Sequence, residues 1–507
     1  MAEIEEELGE GDIHLRDKFQ FELKSEYAPV PGRANNRYTL EFFFFIPTAL
    51  HINKHTYTKK HFYYDQTSLL RLKTPIVPLK ELIASNTARS GLYRIRQLYQ
   101  NSERPNEKEV LRELKLYANG VRSALRDRSQ QLIDSLKRLS PLVSLQSICR
   151  GIDQLCQETI EMRQGYLHFL DEYSLRWRDS RMQDYGQYID EFLSITVQNH
   201  LAHLLREVEL LHDPETAPSI NKLQECIVWE SQHRDAAKER SPFANDPEKN
   251  MEYFVYRSGL LKKFVWEVLF LNIIRKEPSK PFLEFAAVVA AGLAMLVYLV
   301  FLTMQGSGII VNSTSFIVIA VLLYVVKDRM KDAIKNMSAT FATKWFPDYF
   351  TDISTSDGET KLGYLKEYFS FVEPKQIPKE ILTIRNTGFH TELERAERME
   401  QVFYFKKEVT LFSAPEDAHT GEHRELNDIL RYNISSFLVK ASDAYKEHFE
   451  IDPKTGQLIS IQVPKVYHIN IIIRRTYQDS TDQTKSDIGK YRVVLDKEGI
   501  KRIEKVL

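Results

Sequence analysis

The stretch that decides the fold is residues 282–326, FLEFAAVVAAGLAMLVYLVFLTMQGSGIIVNSTSFIVIAVLLYVV. It contains two apolar arms, residues 282–304 and 309–326, joined by the polar turn QGSG. Only Glu284, at the edge of the first arm, is ionisable. A helix needs about 20 mostly apolar residues to cross the hydrocarbon of a bilayer, and backbone in lipid must be hydrogen-bonded within its own helix. The sequence therefore predicts a two-helix transmembrane hairpin.

A buried hairpin in a soluble core is the alternative interpretation of this stretch. Core helices of soluble proteins usually keep a polar stripe, and residues 285–302 have none. Small residues spaced about four apart predict close packing of the first arm against the second, with a contact to another copy of the chain as the alternative. These residues are Ala286, Ala287, Ala290, Ala291 and Ala294.

Basic residues flank both arms, and the turn between them has no charge. Basic flanks favour the cytoplasmic side, so both termini are predicted to be cytoplasmic, and a bacterial plasma (inner) membrane is the expected location. The flanking residues are Lys262, Lys263, Arg275, Lys276 and Lys280 before the first arm, and Lys327, Arg329, Lys331 and Lys335 after the second.

Composition outside the hairpin is that of an ordinary soluble protein. The chain has 507 residues, a formal net charge of −1 and a hydrophobic content of 43%, which indicates no general affinity for nucleic acid. The acidic start, MAEIEEELGEGD, is unlike a signal or transit peptide. The cysteines Cys149, Cys156 and Cys226 form no CxxC pair, which favours a reducing compartment and argues against a disulfide framework or a zinc site.

The fold class expected from these patterns is an α+β membrane protein with five regions. They are an N-terminal β-hairpin region (1–77), a cytoplasmic helical bundle (78–277), the transmembrane hairpin (282–326), a juxtamembrane helix and linker (327–362) and a C-terminal α+β domain (363–507).

The N-terminal region alternates apolar and polar residues over 18–47, which predicts a β-hairpin. In its second strand Phe42 and Phe44 share one face, while Phe43 and Phe45 make the other face apolar too. A two-stranded hairpin is marginal alone, so we expect it to join the sheet of the C-terminal domain. In that domain, strands are predicted over 399–413, 456–475 and 489–495, and helices over 423–445 and after Lys497.

In the bundle region, mostly apolar residues recur at alternating intervals of three and four residues, and this spacing predicts a long packed helix. Its partner is either a neighbouring helix of the same chain or a second subunit, as in a coiled coil. The final bundle helix is expected over 251–277, either buried or lying at the lipid interface. The residues with this spacing are Leu145, Ile148, Ile152, Leu155, Thr159, Met162, Tyr166, Phe169 and Tyr173.

No phosphate-binding loop, dinucleotide fingerprint, zinc-protease or kinase signature is present. His200, His203 and Glu207 share a helical face with a spacing that can hold a metal, although such sites usually add carboxylates from other helices. Two further groups contain metal-binding residue types, but the sequence around each predicts a loop. They are His51, His55 and His61, and Asp417, His419 and His423. The sequence therefore assigns no catalytic, cofactor-binding or metal residue and does not indicate an enzyme.

The function expected from the sequence is an integral membrane scaffold or tether that presents a large cytoplasmic body. Its expected partners are the lipid bilayer, other proteins and further copies of itself, without a cofactor or nucleic acid. One alternative is an oligomeric channel lined by the hairpin. A second alternative is a metal-dependent enzyme whose site lies in the helical bundle.

Overall fold

The computed structural model describes most of the chain as α+β. The described residues are 13–30, 33–74, 76–83, 89–102, 105–138, 144–178, 180–237, 246–305, 314–356, 358, 360–388, 399–412, 425–451, 453–454, 456–479 and 481–507. They form two compact units. The first contains the described residues up to Leu70 with those of 271–414 and 425–507, and the second contains those of 71–270.

The first unit is built on three antiparallel sheets. An eight-stranded sheet has the order β14-β13-β12-β3-β8-β7-β6-β5, a four-stranded sheet has the order β1-β2-β9-β4, and β10 pairs with β11. The strands are β1 (Ile13–Leu15), β2 (Gln20–Tyr27), β3 (Asn35–Pro47), β4 (Gln66–Leu72), β5 (Asn272–Lys276), β6 (Tyr349–Ser354), β7 (Lys361–Val372), β8 (Glu400–Phe412), β9 (Leu426–Asn433), β10 (Tyr445–Ile451), β11 (Leu458–Pro464), β12 (Tyr467–Gln478), β13 (Thr484–Asp496) and β14 (Gly499–Lys505).

Strand β3 lies inside the large sheet, between β8 and β12. Phe44 is opposite Phe403 on one side and Ile471 on the other. The prediction that the N-terminal strand joins the C-terminal sheet is confirmed. The predicted N-terminal β-hairpin is wrong, because β2 pairs with β1 and β9 rather than with β3. A strand that is apolar on both faces is most stable in the middle of a sheet, covered on both faces, and a lone hairpin offers neither condition.

Aromatic side chains form the core on one face of the large sheet. The Phe44 ring centre lies 4.6 Å from that of Phe403 and 5.4 Å from that of Tyr432 in β9. Phe62, from the short helix α1 (Lys59–Asp65), stacks on Phe369 with 4.3 Å between ring centres. The core therefore fills the space between the large sheet, the four-stranded sheet and α1.

The opposite face of the large sheet is covered by a second, smaller core. Phe43, Phe45 and Ile472 pack there with Ile377 and with Ile381 of the short helix α11 (Lys379–Arg385). Because side chains alternate along β3, Phe42 and Phe44 belong to one core, and Phe43 and Phe45 belong to the other.

A buried ion pair connects the two larger sheets. The Lys407 ammonium in β8 pairs with the Asp428 carboxylate in β9, and both side chains are no more than 1% exposed. Lys407 also donates to the Ser68 hydroxyl at 2.7 Å, and Ser68 donates to Asp428 at 2.8 Å. The Tyr27 hydroxyl donates to the same carboxylate at 3.1 Å. Burial, with the adjacent Asp428 charge, raises the pKa of Tyr27, so this phenol stays a neutral donor.

Two predicted helices of the C-terminal domain are strands. Residues Leu426–Asn433 form β9, followed only by the one-turn helix α12 (Ser435–Leu438), and Gly499–Lys505 forms the edge strand β14. Neighbouring strands override local helix preference, because β9 gains a ladder of backbone hydrogen bonds with β2. Gly499 has φ of 138°, and a side chain there would meet the Lys18 carbonyl, which accepts from the Ile500 amide at 2.7 Å.

The second unit is a helical bundle. Its helices are α2 (Leu79–Ile83), α3 (Gly91–Asn101), α4 (Glu107–Lys137), α5 (Leu145–Trp177), α6 (Met182–Glu209), α7 (Ala217–Ala237) and α8 (Pro247–Trp266). The predicted seam is confirmed in α5, whose residues from Ile148 to Tyr173 at that spacing are buried in the core of the bundle. The predicted helix over 251–277 ends at Trp266 instead, and Asn272–Lys276 forms β5 in the first unit.

Our first testable prediction concerns the loss of a side chain from the central aromatic core. Phe44→Ala should lower the free energy of unfolding by about 3–5 kcal/mol, because it empties space between two sheets. Tyr64→Ala is the matched control, since Tyr64 is 88% exposed, and it should change stability by less than about 0.5 kcal/mol. Denaturant unfolding in detergent measures both values, and equal midpoints for the two variants would contradict this assignment of the core.

The buried ion pair gives a second prediction. Lys407→Met should destabilise the protein by about 3–5 kcal/mol, because Asp428 is left as an uncompensated buried charge. The double variant Lys407→Met/Asp428→Asn should recover a large part of that loss. Lys497→Met, which removes an exposed pair with Asp443, serves as control and should leave the unfolding midpoint unchanged. A double variant no more stable than the single one would refute direct coupling of these two charges.

Candidate functional site: the apolar helix pair

Two long helices leave the edge of the large sheet and return to it. Helix α9 (Ser279–Gln305) follows β5, and helix α10 (Thr314–Trp345) precedes β6. Strands β5 and β6 pair with each other, from Asn272 opposite Ser354 to Lys276 opposite Phe350. The pair of helices is therefore held at both of its chain ends by one antiparallel strand pair.

Charged and aromatic side chains hold this strand pair in the sheet. The Arg275 guanidinium lies 3.6 Å from the ring centre of Tyr349 and donates at 2.7 Å to Glu367 of β7, whose side chain is 3% exposed. Lys276 donates to Asp352 at 2.8 Å, and Lys361 also pairs with Asp352. These two ammonium groups lower the pKa of the Asp352 carboxyl, so it stays ionised well into acid.

Helix α9 exposes most of its apolar surface. Of the described residues, Ser279–Phe301 is the one stretch long and apolar enough to cross a membrane, and only 11% of its apolar window is buried. That is unlike a helix in the core of a soluble protein. Ala290 and Ala294 of α9 are buried, whereas Ala291 is exposed. Their contact with the second arm, residues 309–326, stays a prediction.

The second predicted membrane arm is not shown as a span of its own. Residues 309–313 lie outside the described part of the chain, and residues 314–326 extend about 20 Å as a helix, less than the roughly 30 Å of a bilayer's hydrocarbon. Helix α10 continues without a break into Lys327, Asp328 and Arg329 and ends before Pro347.

The two helices are antiparallel, and their apolar stretches are shifted along the helix axes relative to each other. At the base, the rings of Phe282 and Phe346 lie 5.1 Å apart. Farther out, the Lys327 ammonium lies 5.6 Å from the ring centre of Tyr298 and 4.0 Å from that of Tyr324. Tyr298 is about 24 Å along α9 from Phe282 at 1.5 Å per residue.

The charges of α10 consequently lie beside the apolar surface of α9. Lys327 therefore lies well along the helix pair from Lys280. The expectation that the basic residues of both flanks share one side of a membrane stays a prediction. The charged residues in this part of α10 are Lys327, Asp328, Arg329, Lys331, Asp332 and Lys335.

The stagger divides the helix pair into two parts. The distal part runs from Tyr298 to the end of α9 and from the start of α10 to Lys327, and its described exposed side chains are largely apolar. The proximal part, nearer the sheet, exposes apolar residues on α9 and charged residues on α10. Tyrosine and lysine side chains mark the boundary, which is where such amphipathic groups commonly meet a lipid interface.

The possible metal ligands that the structure describes form no metal-binding group. His203 is exposed on α6, and Glu207 pairs with Arg206 at 3.2 Å. His61 caps its own helix through Thr58, while His51 and His55 are exposed. Asp417, His419 and His423 lie outside the described residues. Within the described part of the chain, no group of three or more His, Cys, Asp or Glu side chains is placed to hold a metal ion.

The bundle contains a cavity that the sequence did not predict. It has a volume of about 460 Å³ and lies mainly between α5 and α7. Arg163, which is 1% exposed, sits in its wall and binds Glu230 of α7 and Asp190 of α6 at 2.7 and 2.8 Å. In the sequence, the signal for this cavity is Arg163, a charged residue that directly follows Met162 of the apolar seam.

Comparison with known protein families, curated proteins and solved structures finds no match for this chain.

Proposed function

We propose that this protein is a membrane-anchored scaffold or tether, with the α9–α10 pair as its anchor and the two folded units on the cytoplasmic side. The observation that carries the proposal is the exposed apolar surface at the distal end of the α9–α10 pair, which is fixed to a sheet at both of its chain ends. Such a surface is unfavourable in water and favourable in lipid. Strands β5 and β6 would then hold the large sheet at a fixed position relative to the membrane.

The depth of insertion follows from the charges of α10. A charged residue at the centre of a bilayer costs about 2.5–3.5 kcal/mol on insertion scales, and α10 carries six such residues between Lys327 and Lys335. Immersing them in lipid beside α9 would outweigh the gain from the apolar surface. We therefore place the lipid interface near Tyr298, Tyr324 and Lys327, with the distal part of the helix pair in the hydrocarbon.

This placement leaves the proximal apolar surface of α9 outside the lipid. Phe285 and Val288 are 68% and 70% exposed there. A contiguous apolar surface of this kind commonly marks a protein–protein contact. The scaffold is accordingly an oligomer, in which α9 helices of neighbouring copies cover one another while the charged side of α10 faces water and lipid head groups.

Depth-dependent fluorescence quenching tests the anchor, and it is our third prediction. Single cysteines at Val321 and Met337, in a chain whose three native cysteines are replaced by Ser, would be labelled with bimane and reconstituted with brominated lipids. Both positions are apolar, exposed and on α10, at 58% and 74%, so they differ mainly in their distance from the base. The Val321 label should be quenched several-fold more strongly than the Met337 label.

Two other outcomes of this experiment have clear meanings. Equal, strong quenching at both positions would show that the whole helix pair is immersed. Quenching at neither position would refute the membrane anchor itself.

An oligomeric channel is the second candidate function, and the stagger of the helices favours it. If α9 crosses the membrane fully, a ring of copies could turn α9 towards lipid and line a polar path with Arg329, Lys331 and Lys335, all exposed on α10. Charged residues inside a membrane segment commonly belong to such paths.

Ion flux from proteoliposomes distinguishes the channel from the tether. For a channel, Lys331→Gln should change the ratio of anion to cation flux at least several-fold while the native mass of the oligomer stays the same. A tether should show no flux above that of protein-free vesicles. Met337→Gln, an exposed change on the same helix without a change of charge, is the matched control.

A further inference from the structure

Cys156 and Cys226 face each other across two helices of the bundle. Asp153 on α5 pairs with Lys222 on α7 at 2.6 Å, and Arg163 on α5 pairs with Glu230 on α7 at 2.7 Å. Each cysteine lies between the two ion pairs on its own helix, about one turn beyond the first pair. The ion pairs thus hold α5 and α7 in a parallel register that brings the two thiols together.

The two thiols are buried side by side and influence each other's ionisation. Cys156 and Cys226 are 3% and 7% exposed. Their mutual hydrogen bond is the main influence on both groups, lowering the pKa of Cys226 and raising that of Cys156, to which burial adds. The lower pKa of Cys226 makes it the thiol that ionises first.

A small reagent can reach this pair from solvent. Both cysteines line the cavity of about 460 Å³ between α5 and α7. Lys222, Glu225 and Trp229, which line the same cavity, are exposed, so the cavity is open to solvent. Cys149, by contrast, lies two turns before Cys156 on α5 and contacts the Glu215 carbonyl at 3.9 Å rather than another thiol.

We propose that Cys156 and Cys226 are a peroxide-reactive dithiol that closes to a disulfide between α5 and α7. The Cys226 thiolate attacks one oxygen of hydrogen peroxide, the O–O bond breaks, and the hydroxide that leaves takes up a proton to become water. The Cys156 sulfur then attacks the sulfur of the Cys226 sulfenic acid, the S–O bond breaks, and a second water leaves. Two thiols and one peroxide give one disulfide and two waters, with the sulfurs oxidised and the peroxide reduced.

The disulfide would lock a contact that otherwise depends on side-chain packing and two ion pairs. It closes a loop that includes the whole of α6, so the bundle can no longer open between α5 and α7 without reduction. In a reducing compartment, low-molecular-weight thiols return the pair to the reduced state, which makes the bond a transient response to peroxide.

Thiol counting by mass spectrometry tests the proposal on the full chain in detergent, as our fourth prediction. The Cys149→Ala variant would be treated with hydrogen peroxide, denatured and alkylated with iodoacetamide. Untreated protein should gain two labels, treated protein none, and reduction before alkylation should restore both. Alkylation of both cysteines after treatment would overturn the proposal, as would a labelled Cys156 beside an over-oxidised Cys226.

Single substitutions separate the roles of the two thiols. In Cys156→Ala the disulfide cannot form, so Cys226 should remain as a sulfenic acid that dimedone traps. In Cys226→Ala, Cys156 should react with peroxide more slowly than Cys226 does in Cys156→Ala, because burial still raises the pKa of the Cys156 thiol. Equal dimedone labelling at Cys149 and Cys226 in the Cys156→Ala chain would overturn the assignment of Cys226 as the nucleophile.

The dependence on pH provides a readout that structural damage would not reproduce. The rate of oxidation at Cys226 should rise with pH and reach half its maximum below about 8.5, the ordinary pKa of a cysteine. Cys156→Ala removes the hydrogen bond that stabilises the thiolate, so the midpoint should move to higher pH. A midpoint unchanged by this substitution would contradict the proposed activation of Cys226 by Cys156.

Discussion

The first unit depends on one constraint, which is that β3 must be covered on both faces and paired on both edges. Phe42 and Phe44 enter one core, Phe43 and Phe45 enter another, and each edge of the strand is hydrogen-bonded to a long neighbour. A strand of this kind can lie only in the interior of a sheet that has a layer on each side. The positions of β8 and β12, of the four-stranded sheet and of α11 all follow from this requirement.

Two other large segments of the chain are inserted in sequence between strands of the first unit. The helical bundle is inserted in sequence between β4 and β5, and the apolar helix pair is inserted between β5 and β6. Insertion between two paired strands brings the ends of a segment close together. For the apolar helices this means that α9 and α10 start and finish at a base held by Arg275 and Glu367. An anchor built this way has a defined orientation relative to the sheet.

Buried charges occur in both units and have a common role. Lys407 with Asp428 connects two sheets, and Arg163 with Asp190 and Glu230 connects three helices. A buried ion pair adds little net stability compared with a well-packed apolar alternative, but a mismatch of register leaves its charges unpaired at high cost. Such pairs therefore select one register among several that apolar packing alone would allow. In the bundle, that register is also what brings the two thiols into contact.

The sequence by itself determined the elements whose pattern is local. Three such patterns could be identified in the sequence: the three-and-four spacing in α5, the apolar residues on both faces of β3, and the uninterrupted apolar run of α9. They could be identified because side-chain periodicity shows directly which face of an element is buried. The strand β8 was also predicted, within a residue or so of its ends. Each of these features is a property of consecutive residues.

The tertiary structure alone decided which elements pair and at what depth they lie. Residues Leu426–Asn433 became a strand because β2, far away in sequence, offered backbone hydrogen bonds, and Gly499–Lys505 did so beside β13. The stagger of α9 against α10 placed Lys327 beside Tyr298 instead of at the base, and the bundle placed Cys156 opposite Cys226. The physical reason is the same in each case: pairing and register are set by contacts between distant segments, and local periodicity carries no information about which partner a buried face will meet.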